Sequence, residues 1–162
     1  MQRWIDKSSL FGDAPTQDLA ASAGNCVPGL TVPLFAAMIR DIPTPRILEG
    51  LLFHRIKQRP IVFLLLKVVG LSRLGSVPPV RRVVLASRRH LEGHLDDLER
   101  QLEASGGPWI AGAQFTLADV SWTVIFERLR EADWLAELVG PARPRVGAYW
   151  ARLRSAPAVV PR

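Results

Sequence analysis

Three residue sets in this 162-residue sequence have the types and spacing to do chemistry. His90 and His94 stand four apart, which on a helix puts two imidazoles on one face, the spacing of a zinc-binding helix. The metalloprotease pattern needs glutamate directly after the first histidine. Leu91 occupies that place and Glu92 comes one position late, while His54 is the sole further histidine. The pair therefore reads as a solvated helix face, and no metal is expected. Cys26 is the single cysteine, which excludes an intrachain disulfide and a cysteine-based zinc site and makes reducing cytoplasm the expected compartment. It sits in Gly24-Asn25-Cys26-Val27-Pro28, a turn-like stretch with no nearby histidine to activate it, and reads as an ordinary free thiol. The third set is Phe115-Thr116-Leu117-Ala118-Asp119-Val120. Its spacing predicts a helix cap rather than catalysis: Thr116 accepts from the Asp119 N–H, and the Asp119 carboxylate reaches back to the Thr116 N–H. Phe115 and Val120 flank that box as a hydrophobic staple. No catalytic residue is expected in the chain.

Composition narrows the setting of these residues. Hydrophobic residues make up 48% of the chain and mean hydropathy is +0.12. Such values fit a helical core with little polar surface, or an apolar face awaiting a partner. The opening Met1-Gln2-Arg3-Trp4-Ile5-Asp6-Lys7 has no signal-peptide core. The apolar run 60–71 is interrupted by Lys67 and falls short of the ~18 residues that a bilayer span needs. The net charge of +6 raises nucleic acid as a partner. The arginines are dispersed, however, with no aromatic residues among them to stack bases, so no nucleic acid is expected.

No segment alternates with period two, and helical spacing recurs between Gly and Pro breaks, which predicts an all-α fold in one domain over 1–162. Its core lies in 78–158, with less regular helices and a loop in 1–77. The expected elements are a short helix over 2–11, a Gly/Pro/Ala/Ser loop over 12–29, and a helix over 31–40 ended by Pro43 and Pro45. Two short helices over 47–58 and 61–71 follow, separated by Pro60. Beyond Pro79, Leu91, Leu95, Leu98 and Leu102 form one stripe of a long amphipathic helix, with Glu92, Asp96, Asp97, Glu99 and Arg100 on its wet face. Ser105-Gly106-Gly107-Pro108 ends it. The helix after Phe115 is apolar on all sides, which predicts a buried central element. A last helix over 143–155 places Val146, Tyr149, Trp150 and Leu153 on one stripe.

The run from Gly107 to Trp122, with its cap and staple, resembles the folding signature of the C-terminal domain of the glutathione transferase superfamily. Leu91–Leu102 is similar to the family's preceding helix, Val146–Pro157 to its terminal helix, and Arg3–Lys7 to the start of the domain's first helix in bacterial members. The proline-broken region 43–71 departs from the common pattern. The resemblance implies an all-helical bundle. It also implies that glutathione is a cosubstrate only if a thioredoxin-like domain, which holds the family's catalytic and glutathione-binding residues, is supplied from outside this sequence. By the resemblance the sequence would start where that domain ends, and none of those residues would be expected to carry over.

By that resemblance the chain would line the apolar, substrate-side pocket of a transferase, with Phe35, Met38 and Phe53 as pocket candidates for a hydrophobic small molecule. Two other roles compete. One is a stand-alone interaction module that self-associates as a homo-oligomer or binds a thioredoxin-like or other partner. The other is a peripheral membrane protein that uses the apolar, Arg/Lys-flanked region 47–71.

Overall fold

The computed structural model describes residues 1–13, 17–53, 58–70, 73 and 76–155. Its helices are α1 (Gln2–Ser8), α2 (Ala23–Leu30), α3 (Val32–Arg40), α4 (Thr44–Phe53), α5 (Gln58–Val69), α6 (Pro78–Ser105), α7 (Leu117–Glu131), α8 (Leu135–Val139) and α9 (Pro144–Ser155). Among the described residues there is no strand, only an isolated bridge between Trp109 and Gly112. The fold is all-α, as the spacing predicts.

The 28-residue α6 is the spine. Proline at its first positions suits a helix start, where the missing N–H has no partner to lose. Gly106 ends it in the left-handed region at φ 63°, which a side chain would strain. Leu91, Leu95 and Leu98 are fully buried and Leu102 is nearly so. On this stripe pack α2 and α9, and α7 packs in turn against both, so that Leu30, Trp122, Phe126, Tyr149 and Leu153 join one continuous core. A smaller cluster of Ala36, Ile39, Ile47 and Leu66 holds α3, α4 and α5 together at the N-terminal end of α6.

The first third departs most from expectation. The first helix stops at Ser8, and the expected 12–29 loop contains α2. Ser22 caps α2 by accepting from the Asn25 N–H at 3.1 Å. The buried Asn25 amide then bonds the backbone of Phe11 on both its N–H and C=O and the carbonyl of Asp18 at 2.8–2.9 Å. The glycines that read as loop markers are contact glycines. A Cβ on Gly24 would lie 2.3 Å from the Ser9 carbonyl, and one on Gly29 would lie 2.1 Å from the Ser87 hydroxyl. Close helix approach, rather than chain reversal, is what these positions require.

Further corrections follow from packing. Pro60 does not separate two helices; it lies in the first turn of α5, where proline is tolerated. The helix α7 is not buried all round: Leu117, Val120 and Val124 form an exposed outer stripe, 65%, 39% and 58% accessible. His90 is exposed as expected, but His94 is buried. His54 and the closing Ala156–Pro157 lie outside the described residues.

Candidate functional site

The polar centre of the 78–155 unit is Asp119. Its carboxylate is fully buried and accepts four hydrogen bonds. Oδ2 receives the Thr116 N–H at 2.8 Å and the Thr116 hydroxyl at 2.8 Å. Oδ1 receives the Ile110 N–H at 3.1 Å and the Tyr149 hydroxyl at 2.9 Å. One side chain therefore fixes the start of α7, the 106–116 loop and α9. Burial, and then the adjacent carboxylate, push the Tyr149 phenol above its ordinary pKa, so it stays a donor. Phe115, expected as a staple residue, packs edge-to-face on Trp109 with ring centroids 4.9 Å apart, and like Val120 it is 39% accessible. With both oxygens occupied inside the protein, Asp119 has a structural task and no access to a substrate.

The other chemistry-bearing residues are also enclosed. Cys26 is fully buried, its thiol directed at the Leu19 and Ser22 carbonyls, and burial pushes its pKa up to about 12. A thiol so held is inert as a nucleophile. His94 donates through Nε2 to the Leu19 carbonyl at 3.0 Å, which ties α6 to the segment before α2. Burial holds its pKa below the ordinary histidine value, and Lys7 and His90 act in the same direction. Among the described residues no group of three His, Cys, Asp or Glu side chains lies within reach of one metal ion.

A cleft of about 380 Å³ lies beside Leu135, Val139 and Trp150; larger is an apolar groove at the junction of three helices, with a volume of about 620 Å³. Val32 and Phe35 come from α3, Phe63, Leu65 and Leu66 from α5, and Pro79, Val80 and Val83 from α6. The structure thus brings Phe35 to the groove. Met38 and Phe53 stand outside the lining, 60% and 80% accessible. Phase explains Met38: Ala36 and Ile39 take the inward positions of α3 and turn Met38 out. The other seven lining residues were not expected there; of these, Val80 and Val83 sit one turn apart just after the Pro78-Pro79 break. The apolar spacing of this pair was the signal that could have found them.

Known proteins resemble the chain over its C-terminal half and, in one group, almost throughout. The family model for the glutathione S-transferase C-terminal domain matches residues 78–152. The 2,5-dichlorohydroquinone reductive dechlorinases of two Sphingobium indicum strains are 31% identical over 159 residues, covering 93% of this chain and 41% of the relative. The tetrachloro-p-hydroquinone reductive dehalogenase of Sphingobium chlorophenolicum is 32% identical over 68 residues, which is 40% of this chain and 25% of that protein. The chain therefore spans about two-fifths of the length of the dechlorinases that it matches almost throughout. No solved structure matches it significantly.

Proposed function

Because the chain carries a glutathione S-transferase C-terminal domain over residues 78–152, we propose that it is the substrate-side half of a glutathione transferase-like enzyme, its α3–α5–α6 groove receiving the ring of a chlorinated aromatic substrate whose polar substituents stay at the open mouth. The groove carries this reading. Its volume of about 620 Å³ falls in the range of small-molecule sites, roughly 300–1,000 Å³, and every lining residue is apolar. The relatives whose names specify chlorinated hydroquinones support a ring-bearing ligand of that class.

Glutathione itself does not fit the groove. A tripeptide with two carboxylates needs cationic or N–H donors, and the lining side chains offer none. Its binding and activation belong to a thioredoxin-like domain, and this half supplies the apolar wall that orients the aromatic substrate and excludes water.

Isothermal titration of the chain with 2,5-dichlorohydroquinone tests the reading. Saturable one-to-one binding is expected. It should weaken roughly tenfold in Phe35→Ala, since the ring is half exposed and free to cover a ligand. Absence of saturable binding, or binding indifferent to both Phe35→Ala and Val83→Ser, would overturn it.

The outer stripe of α7 favours a second role. Leu117, Val120 and Val124 form an apolar strip on the domain exterior, suited to a protein partner or a second copy. Light scattering would show a concentration-dependent dimer that Val124→Asp dissociates; a monomer at all concentrations would dismiss self-association.

A further inference from the structure

We propose that the face built by α3, α4 and α5 with the start of α6 is a docking surface for an anionic lipid membrane. Two independent observations coincide there. The first is apolar exposure. Eleven of the eighteen exposed large apolar side chains among the described residues lie between 35 and 85. On α5, Ile61, Leu65 and Val68 are 57%, 52% and 78% accessible and recur at i, i+4 and i+7, opposite the buried Leu66. Among the described side chains of this helix the solvent side is thus apolar, the reverse of an ordinary surface helix.

The second is charge. Residues 32–85 hold nine Lys and Arg against two Asp and Glu, a balance of +7, while the rest of the chain holds twelve against thirteen. The net charge of the whole protein therefore resides in the segment that exposes the apolar stripe. Arg40, Arg46, Arg73, Arg81 and Arg82 are exposed. Lys67 reaches back to the Arg40 and Ile42 carbonyls, joining α5 to the end of α3.

The combination selects the occupant. An apolar stripe amid cations gains from hydrocarbon and anionic headgroups together. A second copy of the chain would bring this cationic face against itself. Nucleic acid would satisfy the charge, but the exposed side chains are mostly aliphatic and offer little base stacking. At about 1.5 Å per residue the twelve residues of α5 reach about 18 Å, short of the ~30 Å hydrocarbon core, so the helix lies in the interface. No helix among the described residues is long and apolar enough to cross a membrane. The exposed groove residues Phe35, Leu65 and Val83 share this face, so a lipid-dissolved ligand would enter the groove without passing through water. The docking does not depend on what the groove binds.

Sedimentation of the full chain with vesicles tests this. The chain should pellet with phosphatidylglycerol/phosphatidylcholine vesicles, weakly or not at all with pure phosphatidylcholine, and less as salt rises. Ile61→Asp/Val68→Asp should cut partitioning at least tenfold while leaving the far-UV spectrum and ligand titration intact, because neither residue lines the groove. Leu117→Asp/Val124→Asp, on the exposed stripe of α7 and outside the 32–85 segment, should leave partitioning unchanged. No pelleting with anionic vesicles, equal loss in both double variants, or a single-stranded oligonucleotide that binds the wild type and is lost by the Ile61/Val68 variant with no vesicle binding, would each overturn the proposal.

Discussion

Replacing Asp119 with alanine breaks the junction that joins α7, α9 and the 106–116 loop. The substitution removes an acceptor of four hydrogen bonds at a fully buried position. Thr116 is partly accessible and can turn to water, but the Ile110 N–H and the Tyr149 hydroxyl are sealed in. Each buried donor left without a partner costs about 1–3 kcal/mol, and a lost helix cap about 1 kcal/mol. The expected loss is about 4 kcal/mol, a large part of the 5–15 kcal/mol that holds a typical domain together. For a chain of this size that corresponds to a melting temperature lower by roughly 8–16 °C. Asp119→Asn should cost nearly as much, roughly 3 kcal/mol, because each carboxylate oxygen faces two donors and the amide nitrogen must meet one of those pairs in either orientation. Urea unfolding followed by circular dichroism at 222 nm reads both variants. A cycle with Tyr149→Phe should show coupling of about 1–2 kcal/mol, since Asp119 is the hydrogen-bond partner of the phenol among the described residues. If Asp119→Asn unfolds within about 0.5 kcal/mol of wild type, the account of a carboxylate-centred junction is refuted.

Other consequences are smaller and separately measurable. Gly29→Ala should destabilise by about 1–3 kcal/mol, because its Cβ would meet the Ser87 hydroxyl at 2.1 Å. Ser87→Ala alone should be neutral or slightly stabilising in the same urea assay, since that buried hydroxyl has no hydrogen-bond partner among the described residues. Gly93→Ala, in the middle of α6 with nothing near the added methyl, should stabilise by about 0.5–1 kcal/mol. His94 is held neutral by burial, with a folded pKa below the unfolded value of about 6.5. The unfolded chain thus binds the extra proton first, and the stability that His94 contributes is intact above about pH 6.5 and lost as pH falls through the folded pKa. The urea midpoint should drop on acidification over that window, and His94→Gln should flatten this part of the profile. Cys26 should resist a thiol-specific reagent in the native protein at pH 8 and react promptly in denaturant.

The parts of this fold that a sequence displays are those whose partners are near in the chain. The Leu91–Leu102 stripe follows from helical period alone, and the approach of Thr116 to Asp119 follows from a three-residue spacing. The Tyr149 and Ile110 bonds to Asp119 span 30 and 9 residues, and nothing in local spacing announces them. Gly24 and Gly29 look like loop residues because glycine composition is the same for a turn and for a close helix crossing. Only the Ser9 and Ser87 atoms pressed against them distinguish the two. His94 shares a face with His90 on α6 yet is buried, because the segment around Leu19 folds over one and not the other. The outer stripe of α7 has the opposite cause: an apolar face signals a contact, but the sequence does not say whether the contact lies within the chain. The groove was legible in part. Phe35 stands in it, whereas the phase of α3 turns Met38 away, and Phe53 ends α4 outside the lining.

The most direct test of the proposed role is methyl-resolved NMR of the Ile-, Leu- and Val-labelled chain titrated with 2,5-dichlorohydroquinone. The α3–α5–α6 groove predicts saturable shifts at Val32, Leu65, Leu66, Val80 and Val83, with the core methyls of Leu91, Leu95 and Leu98 unmoved. Shifts confined to the cleft beside Trp150, Leu135 and Val139, or no saturable shift at any methyl, would contradict the assignment of that groove as the substrate-side site.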